Sequence, residues 1–241
     1  MNLGIALFCT GKYVMFLDQY IKTCEENYLP NTNKKYYIFT DSEVKLENNI
    51  NYEHIFQEKL GWPLDTLKRY EIINKYKDRF SDMDYISVTN ANVIFPVKVY
   101  EDEVLPTAEG GWMSTIAHPW WYDKTDNTQY PFERNPVSTA YVAPGEGQMY
   151  YQACFIVGRN QEFFKLASFV EEQSNIDMEK NFIAIYWDES YINRYWVNNP
   201  PTKLSPAYCH PDPEVYNIGL TPKIIQLEKG RYGGHGYLRE A

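Results

Sequence analysis

The sequence has few of the features that mark nucleic-acid-binding or membrane proteins. Its 23 Lys and Arg are outnumbered by 32 Asp and Glu, which gives a net charge of −9, and they form no basic run. Nucleic-acid binders need a positive face to neutralise phosphates, so we expect no nucleic-acid partner, although a single diphosphate would need only a few local cations. No apolar run approaches the about 20 residues of a transmembrane helix. The apolar run Leu3–Phe8 has the length of a buried strand instead.

Common catalytic and metal-binding motifs are also missing. The four cysteines form no Cys-x-x-Cys pair and have no His at zinc-ligand spacing. They are typical of reduced structural thiols, and we expect a cytoplasmic protein. Gly-x-Ser-x-Gly and His-Glu-x-x-His do not occur, and the glycines match neither a phosphate-binding loop nor a dinucleotide fingerprint. These absences disfavour most hydrolases and an NAD enzyme, and His54, His118 and His210 are interpreted as structural.

Short apolar runs alternate with segments of helical spacing. The pattern predicts strands over 3–9, 36–41, 83–88 and 152–158, and helices over 13–28, 64–80, 162–173 and 188–196. This alternation predicts one α/β domain with a mostly parallel sheet and ligands at the carboxyl ends of its strands. The stretch 106–147 is irregular and rich in Trp, Tyr, Pro and Gly, and its length indicates a functional loop.

Aromatic residues are abundant, at 17% of the chain. A large core and a sugar-binding cleft would both account for them, because sugar rings stack on aromatic walls. The run Pro119-Trp120-Trp121-Tyr122 has the same two interpretations. Exposed, it would be a platform for an acceptor sugar; buried, it would anchor a loop.

Three polar segments could carry chemistry. Asn90-Ala91-Asn92 follows a predicted strand, where amides can hydrogen-bond phosphate or sugar groups or simply form a turn. Asp188-Glu189 opens a predicted helix, either as a catalytic carboxylate pair or as acidic residues near the positive end of the helix dipole. The tail could fold over an anion as a mobile lid or be a disordered terminus. Its basic residues are Lys223, Lys229, Arg231, His235 and Arg239.

Several segments together resemble glycosyltransferase family 6, the family of the histo-blood-group A and B transferases and α1,3-galactosyltransferase. The matching segments are residues 120–122, 132–136 with 140–141, 145–151, 187–190, 193–195 and 201–209. The resemblance covers nearly the whole chain. It implies a GT-A fold, a UDP-sugar donor and retention of the anomeric configuration. We expect residues 1–100 to bind nucleotide, 101–228 to bind acceptor and carry catalysis, and 229–241 to form a flexible lid.

The resemblance also assigns site residues. Glu189 matches the catalytic glutamate and Asp188 its acidic neighbour, and Tyr13 would stack on the uracil. The implied donor-binding residues are Phe8, Cys9, Thr10, Tyr13, Arg69, Asn90, Ala91, Asn92, Gln152, Ala153, Cys154, Lys229 and Arg231. The implied acceptor-binding residues are Trp120, Trp121, Glu133, Tyr186 and Trp187.

The chain departs from the family pattern at the metal motif. Asn90-Ala91-Asn92 stands in place of Asp-x-Asp, which removes the manganese ligands and implies a member that requires no divalent metal cofactor. We expect transfer of N-acetylgalactosamine from UDP-GalNAc to a galactoside, fucosylated and stacked on Trp120 or Trp121. Transfer of galactose from UDP-Gal is the alternative. An alternative of another class is a glycan-binding protein without catalysis.

Overall fold

A computed structural model describes residues 1–106 and 111–240 of the chain. Residues 107–110 of the predicted irregular stretch and residue 241 of the predicted lid lie outside the described residues. The chain forms a seven-stranded sheet of order β3-β2-β1-β4-β7-β6-β8 and a three-stranded sheet of order β5-β10-β9. The strands are β1 (Asn2–Phe8), β2 (Asn33–Thr40), β3 (Tyr52–Phe56), β4 (Tyr85–Asn90), β5 (Val93–Ile94), β6 (Met113–Ala117), β7 (Tyr151–Arg159), β8 (Thr202–Leu204), β9 (His210–Pro211) and β10 (Ile225–Gln226).

The large sheet is mixed but mostly parallel. Strands β1 to β4 pair in parallel, whereas β7 runs antiparallel to both of its neighbours, β4 and β6. The amino end of β7 therefore lies beside the carboxyl ends of β1 and β4. The predicted α/β class is confirmed, and this edge of the sheet is where the candidate site lies.

Helices flank both faces of the sheet. They are α1 (Leu17–Asn27), α2 (Leu64–Leu67), α3 (Arg69–Lys75), α4 (Glu101–Val104), α5 (Asn160–Glu179), α6 (Trp187–Asn198) and α7 (Gly234–Arg239). The helix predicted over 64–80 is broken, because the backbone leaves the α region at Lys68 (φ −90°, ψ 1°) and again at Tyr76 (φ −109°, ψ 18°). The helix predicted over 13–28 begins as a 3₁₀ helix (Gly11–Phe16) and continues as α1.

Alternation along the strands divides the core between the two faces. In β1, Leu3, Ile5 and Leu7 pack with α1 in one apolar cluster. Ala6 points to the other face, where residues of α3, α5 and α6 are buried. Such period-two packing is what a strand covered on both faces requires. In the described parts of the chain, no helix has both the length and the apolar character needed to cross a membrane.

The tail is folded in this structure. After β10 it forms a 3₁₀ helix (Lys229–Tyr232) and then α7. Leu238 is fully buried in the core, and Tyr232 packs edge-on against Phe16 at 4.9 Å between ring centroids. Lys59 donates a hydrogen bond to the Arg239 carbonyl (3.0 Å). These contacts hold the tail across the site edge of the sheet, so it is not a disordered terminus, and its action as a flexible lid stays a prediction.

Candidate active site

A cavity of about 270 Å³ lies at this edge, between the strand ends, α6 and the tail. Most of the residues predicted for donor binding and catalysis line it, although they come from distant parts of the sequence. The lining includes Phe8, Thr10, Tyr13, Arg69, Asn90, Ala91, Asn92, Gln152, Ala153, Cys154, Tyr186, Trp187, Asp188, Glu189 and Lys229. The sequence segments singled out separately thus form one site.

The Glu189 carboxylate is fixed by two hydrogen bonds. Its Oε1 accepts from the Tyr150 hydroxyl and its Oε2 from the Ala153 backbone N–H, both at 2.8 Å. Buried Asn193, one turn further along α6, bonds both backbone groups of Tyr151 (2.8 Å each) and so clamps the helix to the start of β7. The carboxylate is therefore presented to the cavity in one orientation.

A β-bulge explains why the Ala153 N–H is available. Along the β6–β7 pair the register moves from Thr115↔Ile156 to Ile116↔Gln152, so the residues between them bulge out of the ladder. Bulges leave backbone groups unpaired and occur next to active sites. Here the freed N–H binds the carboxylate of Glu189, so the predicted donor-binding segment 152–154 is held against the predicted catalytic residue.

Backbone strain accompanies the start of α6. Trp187 has φ of 50°, in the left-handed region that bulky side chains rarely adopt. Such strain persists only where the surroundings enforce it, and it concentrates at functional sites. The Trp187 indole packs edge-on against the Trp62 indole, with 4.0 Å between ring centroids. Asp188 lies inside the helix rather than capping it, since its carboxylate pairs with Arg69.

Burial raises the pKa of the Glu189 carboxyl to about 7, against the opposing effect of the Ala153 N–H and the Tyr150 hydroxyl. Both donors favour the ionised form, so removing one should raise the pKa further. The carboxyl therefore titrates in the physiological range, where a group acting as a base or a stabilising anion is most useful.

Tyr150→Phe is predicted to raise the pKa of Glu189 above the wild-type value by about one pH unit, the equivalent of one lost hydrogen bond to a charged group. An NMR titration of the carboxyl carbon with labelled glutamate measures this directly. The matched control is Tyr151→Phe, since the Tyr151 hydroxyl does not contact Glu189. An unchanged titration in Tyr150→Phe would mean that the Tyr150 hydroxyl does not govern the carboxylate.

Arg69 links the other carboxylate to the amide pair. Its Nη2 donates to Asp188 Oδ2 at 2.5 Å and its Nη1 to Asn90 Oδ1 at 3.0 Å. Burial raises the pKa of Asp188, and Arg69 opposes that rise. Asp188 therefore orients a buried guanidinium that lines the cavity.

The amide pair does not fit a divalent cation. Asn90 Oδ1 accepts from Arg69, which also brings a positive charge to that position. Asn92 donates to the Leu227 carbonyl (2.6 Å) and keeps only a neutral amide oxygen, buried without a hydrogen-bond partner. Divalent cations of the Mg²⁺ and Mn²⁺ class prefer carboxylate oxygens. Asn92 instead anchors the start of the tail.

The tail contributes positive charge to the cavity. Lys229 and Arg239 line it, and among residues 1–106 and 111–240 no carboxylate forms an ion pair with either side chain. Burial lowers the pKa of Lys229 to about 8, with Arg239 and Arg69 adding to the effect. Cations without a direct ion-pair partner are suited to an anionic ligand.

Aromatic rings lie beneath these cations. The Lys229 ammonium sits 5.2 Å from the ring centroid of Tyr13, and the Arg239 guanidinium 3.4 Å from that of Trp62. Tyr13 lines the cavity at the end of β1, where a planar base could stack on it. The site thus combines a ring surface, a cluster of cations and a fixed carboxylate.

Five predicted site residues do not line this cavity. Cys9 is fully buried in the core, since its neighbours Phe8 and Thr10 alternate toward the cavity. Glu133 accepts from the backbone N–H groups of Asn135 and Ile185 (2.8 Å each) and braces a loop instead.

The other three are Arg231, Trp121 and Trp120. Arg231 pairs with Asp212 (2.7 Å) and Glu214 (2.6 Å), outside the cavity. Trp121 packs against a small apolar cluster that contains Tyr130 and Tyr150. Its neighbour Trp120 is exposed in an adjoining groove.

The free thiol of Cys154 lies 2.6 Å from that of Cys209, and all four cysteines are buried and free.

Sequence reasoning missed other lining residues. His118 was interpreted as structural, yet it lines the cavity, and burial lowers its pKa to about 4, so its ring is neutral. Trp62 and Arg239 also line the cavity. The sequence marks Arg239 only as a tail cation and gives no sign that Trp62 belongs to a site. No sequence pattern indicates their stacking, because they are far apart in the chain.

In sequence, the chain resembles known glycosyltransferases. The family model for glycosyltransferase family 6 matches residues 1–228. The O-antigen biosynthesis glycosyltransferase WbnI of Escherichia coli is 32% identical over 241 residues, which is the full length of both chains. The globoside alpha-1,3-N-acetylgalactosaminyltransferase 1 of Homo sapiens is 26% identical, over 88% of this chain and 62% of that protein. The histo-blood group ABO system transferase 2 of Rattus norvegicus is 27% identical, over 86% and 63%.

Proposed function

The chain belongs to glycosyltransferase family 6, and on that premise we propose that it is a retaining α1,3-N-acetylgalactosaminyltransferase that uses UDP-GalNAc and a galactoside acceptor without a divalent metal. The observation that carries the proposal is the arrangement of charge in the cavity. Lys229 and Arg239 supply cations on the tail side, while Glu189 presents a fixed carboxylate from α6. A nucleoside diphosphate sugar needs both in one place.

The charges that line the cavity match those that develop when the bond between the sugar and the diphosphate breaks. As the bond between the anomeric carbon and the phosphate oxygen lengthens, negative charge grows on the diphosphate and positive charge on the sugar. Lys229 and Arg239 stabilise the leaving diphosphate, and the Glu189 carboxylate stabilises the cationic sugar. Preorganised charges in a water-poor site can supply several kcal/mol in this way. The uracil stacks on Tyr13, and Arg69 reaches toward the donor sugar.

No metal ion takes part in this proposal. Asn90 and Asn92 offer neutral amide oxygens, one of which accepts from Arg69. The tail cations carry the electrostatic role that a metal has in other sugar transferases. The buried free thiols fit a reducing compartment, so a cytoplasmic location is part of the proposal.

The choice of donor sugar rests on the bulged segment of β7. The Gln152 side-chain oxygen is buried at the cavity without a hydrogen-bond partner, so it is free to accept from the sugar's substituents. The human relative is named as an N-acetylgalactosaminyltransferase, which supports UDP-GalNAc. UDP-Gal is the second candidate, and Cys154 favours it, because a side chain lining the cavity leaves less room for an N-acetyl group.

The test is a transfer screen in EDTA. We expect product from UDP-GalNAc and a fucosylated galactoside, with analysis by mass spectrometry and NMR of the new α linkage. Adding Mn²⁺ should change the rate by no more than about twofold, since loss of a catalytic metal costs several kcal/mol. Product from UDP-Gal alone would establish the second candidate, and a rate restored only by Mn²⁺ would contradict metal independence. Glycan binding without release of UDP would identify a non-catalytic binding protein.

A further inference from the structure

Helix α6 meets the start of β7 through two of its side chains. The ladder that pairs β7 with β4 ends at Phe155, so the earlier residues of β7 extend past it. There, Asn193 bonds the backbone of Tyr151, and Glu189 bonds the backbone N–H of Ala153. Side chains of a helix therefore bond this part of the strand where the ladder with β4 has stopped.

The spacing of these two contacts agrees on both elements. Glu189 and Asn193 are four residues apart, which is about 6 Å along a helix. Tyr151 and Ala153 are two residues apart, which is about 6.6 Å along a strand. A shift of the helix by one residue would turn both side chains by about 100° around its axis, so the two contacts form together in one register only.

Asn193 is the residue of this pair that is bonded most completely. Its Oδ1 accepts from the Tyr151 N–H, and its Nδ2 donates to the carbonyls of Tyr151 (2.8 Å) and Glu189 (2.9 Å). The side chain is only 1% exposed. Exchanging the amide oxygen and nitrogen would set donor against donor at the Tyr151 N–H, so a single orientation satisfies these groups.

Two other polar contacts of α6 lead away from β7. The Tyr191 hydroxyl donates to Asp177 of α5 (3.1 Å), and Asp188 pairs with Arg69 of α3. Apolar burial adds stability but is not directional, so it does not select one register. Asn193 therefore ties α6 to the β7 backbone, and it is not among the residues that line the cavity.

We propose that Asn193 is a positioning residue for the transfer reaction, which fixes the register of α6 on β7 and so brings the Glu189 carboxylate to the Ala153 N–H. The proposal rests on the proposed function and deepens it. Asn193 acts through Glu189 rather than on a ligand, so its loss should affect turnover and leave nucleotide binding intact.

The test begins with Asn193→Leu, which keeps a branched side chain of similar size and removes all three hydrogen bonds. We expect kcat to fall by about a hundredfold, as for a misplaced catalytic group, while the affinity for UDP stays within about threefold. The pKa of Glu189 should rise by about one pH unit, because the bond from the Ala153 N–H is lost. Isothermal titration with UDP, steady-state kinetics and an NMR titration with labelled glutamate measure the three quantities.

A milder variant, Asn193→Ser, covers the case in which Asn193→Leu does not fold. The hydroxyl can still bond the Glu189 carbonyl one turn earlier in the helix but is too short to reach Tyr151. The space left can admit a water that pairs with the Tyr151 backbone, which preserves the fold without fixing the register. The losses should have the same direction as in Asn193→Leu.

Asn160→Leu is the matched control. Asn160 also uses its amide to hold a helix, since it donates to the carbonyls of Phe80 (2.7 Å) and Met83 (3.0 Å), but it lies beyond the opposite end of β7. This variant should keep the wild-type kcat per folded molecule and the wild-type titration of Glu189.

The outcomes separate the positioning role from the proposed function. Wild-type kcat and an unchanged Glu189 titration in the Asn193 variants would overturn the role, as would a loss of UDP affinity as large as the loss of kcat. If the wild type transfers no sugar, the proposed function fails, and the NMR titration alone decides. A Glu189 pKa raised in Asn193→Ser and unchanged in Asn160→Leu then supports the positioning role; equal titrations in all three proteins exclude it.

Discussion

Glu189→Gln is expected to lower kcat by on the order of a thousandfold while the affinity for UDP stays within about twofold. The amide keeps the shape of the side chain. Its oxygen can still accept from the Ala153 N–H, and its NH₂ group can donate to the Tyr150 hydroxyl, which rotates to accept. Only the negative charge is lost. A rate loss of this size would therefore show that catalysis depends on the charge of Glu189 rather than on the packing of its side chain.

The control for this prediction is Glu133→Gln. Glu133 is also a buried carboxylate that accepts from backbone N–H groups, but it lies outside the cavity. Its amide variant is expected to be less stable and to keep a normal kcat per folded molecule. Turnover of Glu189→Gln within about tenfold of the wild type would remove Glu189 from catalysis.

The pH dependence of the same variant adds a second measurement. Glu189 acts as an anion, so wild-type activity should fall as the pH drops through about 7, and the variant should lose this dependence. The folded pKa lies above the ordinary glutamate value, so the folded protein binds the proton more tightly than the unfolded chain. Stability from this group is then present at low pH and is lost as the pH rises through about 7. Glu189→Gln should therefore melt at a higher temperature than the wild type at pH 8, with the difference disappearing near pH 4.

The sequence was sufficient to predict the fold class and the edge of the sheet that carries the site. Strand-end residues such as Thr10 and Asn90 line the cavity because parallel strands end together. It was not sufficient where orientation depends on local geometry. Cys9 lies between two lining residues yet points into the core, as alternation along β1 requires. The bulge that frees the Ala153 N–H depends on the register with β6, which no single segment of sequence encodes.

The tail is a second region where the sequence did not predict which way the side chains point. Lys229 and Arg231 are two residues apart in one 3₁₀ helix, and both were predicted to contact phosphate. Of these two residues, only Lys229 lines the cavity in the structure. Arg231 instead binds the carboxylates of Asp212 and Glu214. The short helix therefore joins two surfaces. Lys229 faces the proposed diphosphate site. Arg231 binds the carboxylate of Asp212, whose backbone carbonyl accepts from the Tyr216 N–H.

These separate roles of Lys229 and Arg231 predict the second large effect, a loss of UDP affinity in one variant and not in the other. Lys229→Met, which keeps most of the side-chain volume and removes the charge, is expected to weaken UDP binding by about 10- to 100-fold, the loss of a charge-assisted hydrogen bond in a dehydrated site. Arg231→Met should leave UDP affinity within about threefold, because Arg231 pairs with Asp212 and Glu214 outside the cavity. Isothermal titration with UDP measures the affinity of both variants. Equal losses of UDP affinity in both variants would contradict the separation of roles.

Proton uptake identifies the group responsible. Burial holds the pKa of Lys229 at about 8 in the free protein, so above pH 8 much of this amine is neutral. A bound diphosphate favours the ammonium and raises that pKa, so UDP binding should take up a proton near pH 8.5. The measured binding enthalpy will then differ between buffers of different ionisation enthalpy, and UDP affinity will fall as the pH rises through the free-protein pKa. Arg231→Met should retain the buffer dependence and Lys229→Met should lose most of it, because the Lys229 amine changes its protonation when the diphosphate arrives and the Arg231 guanidinium does not.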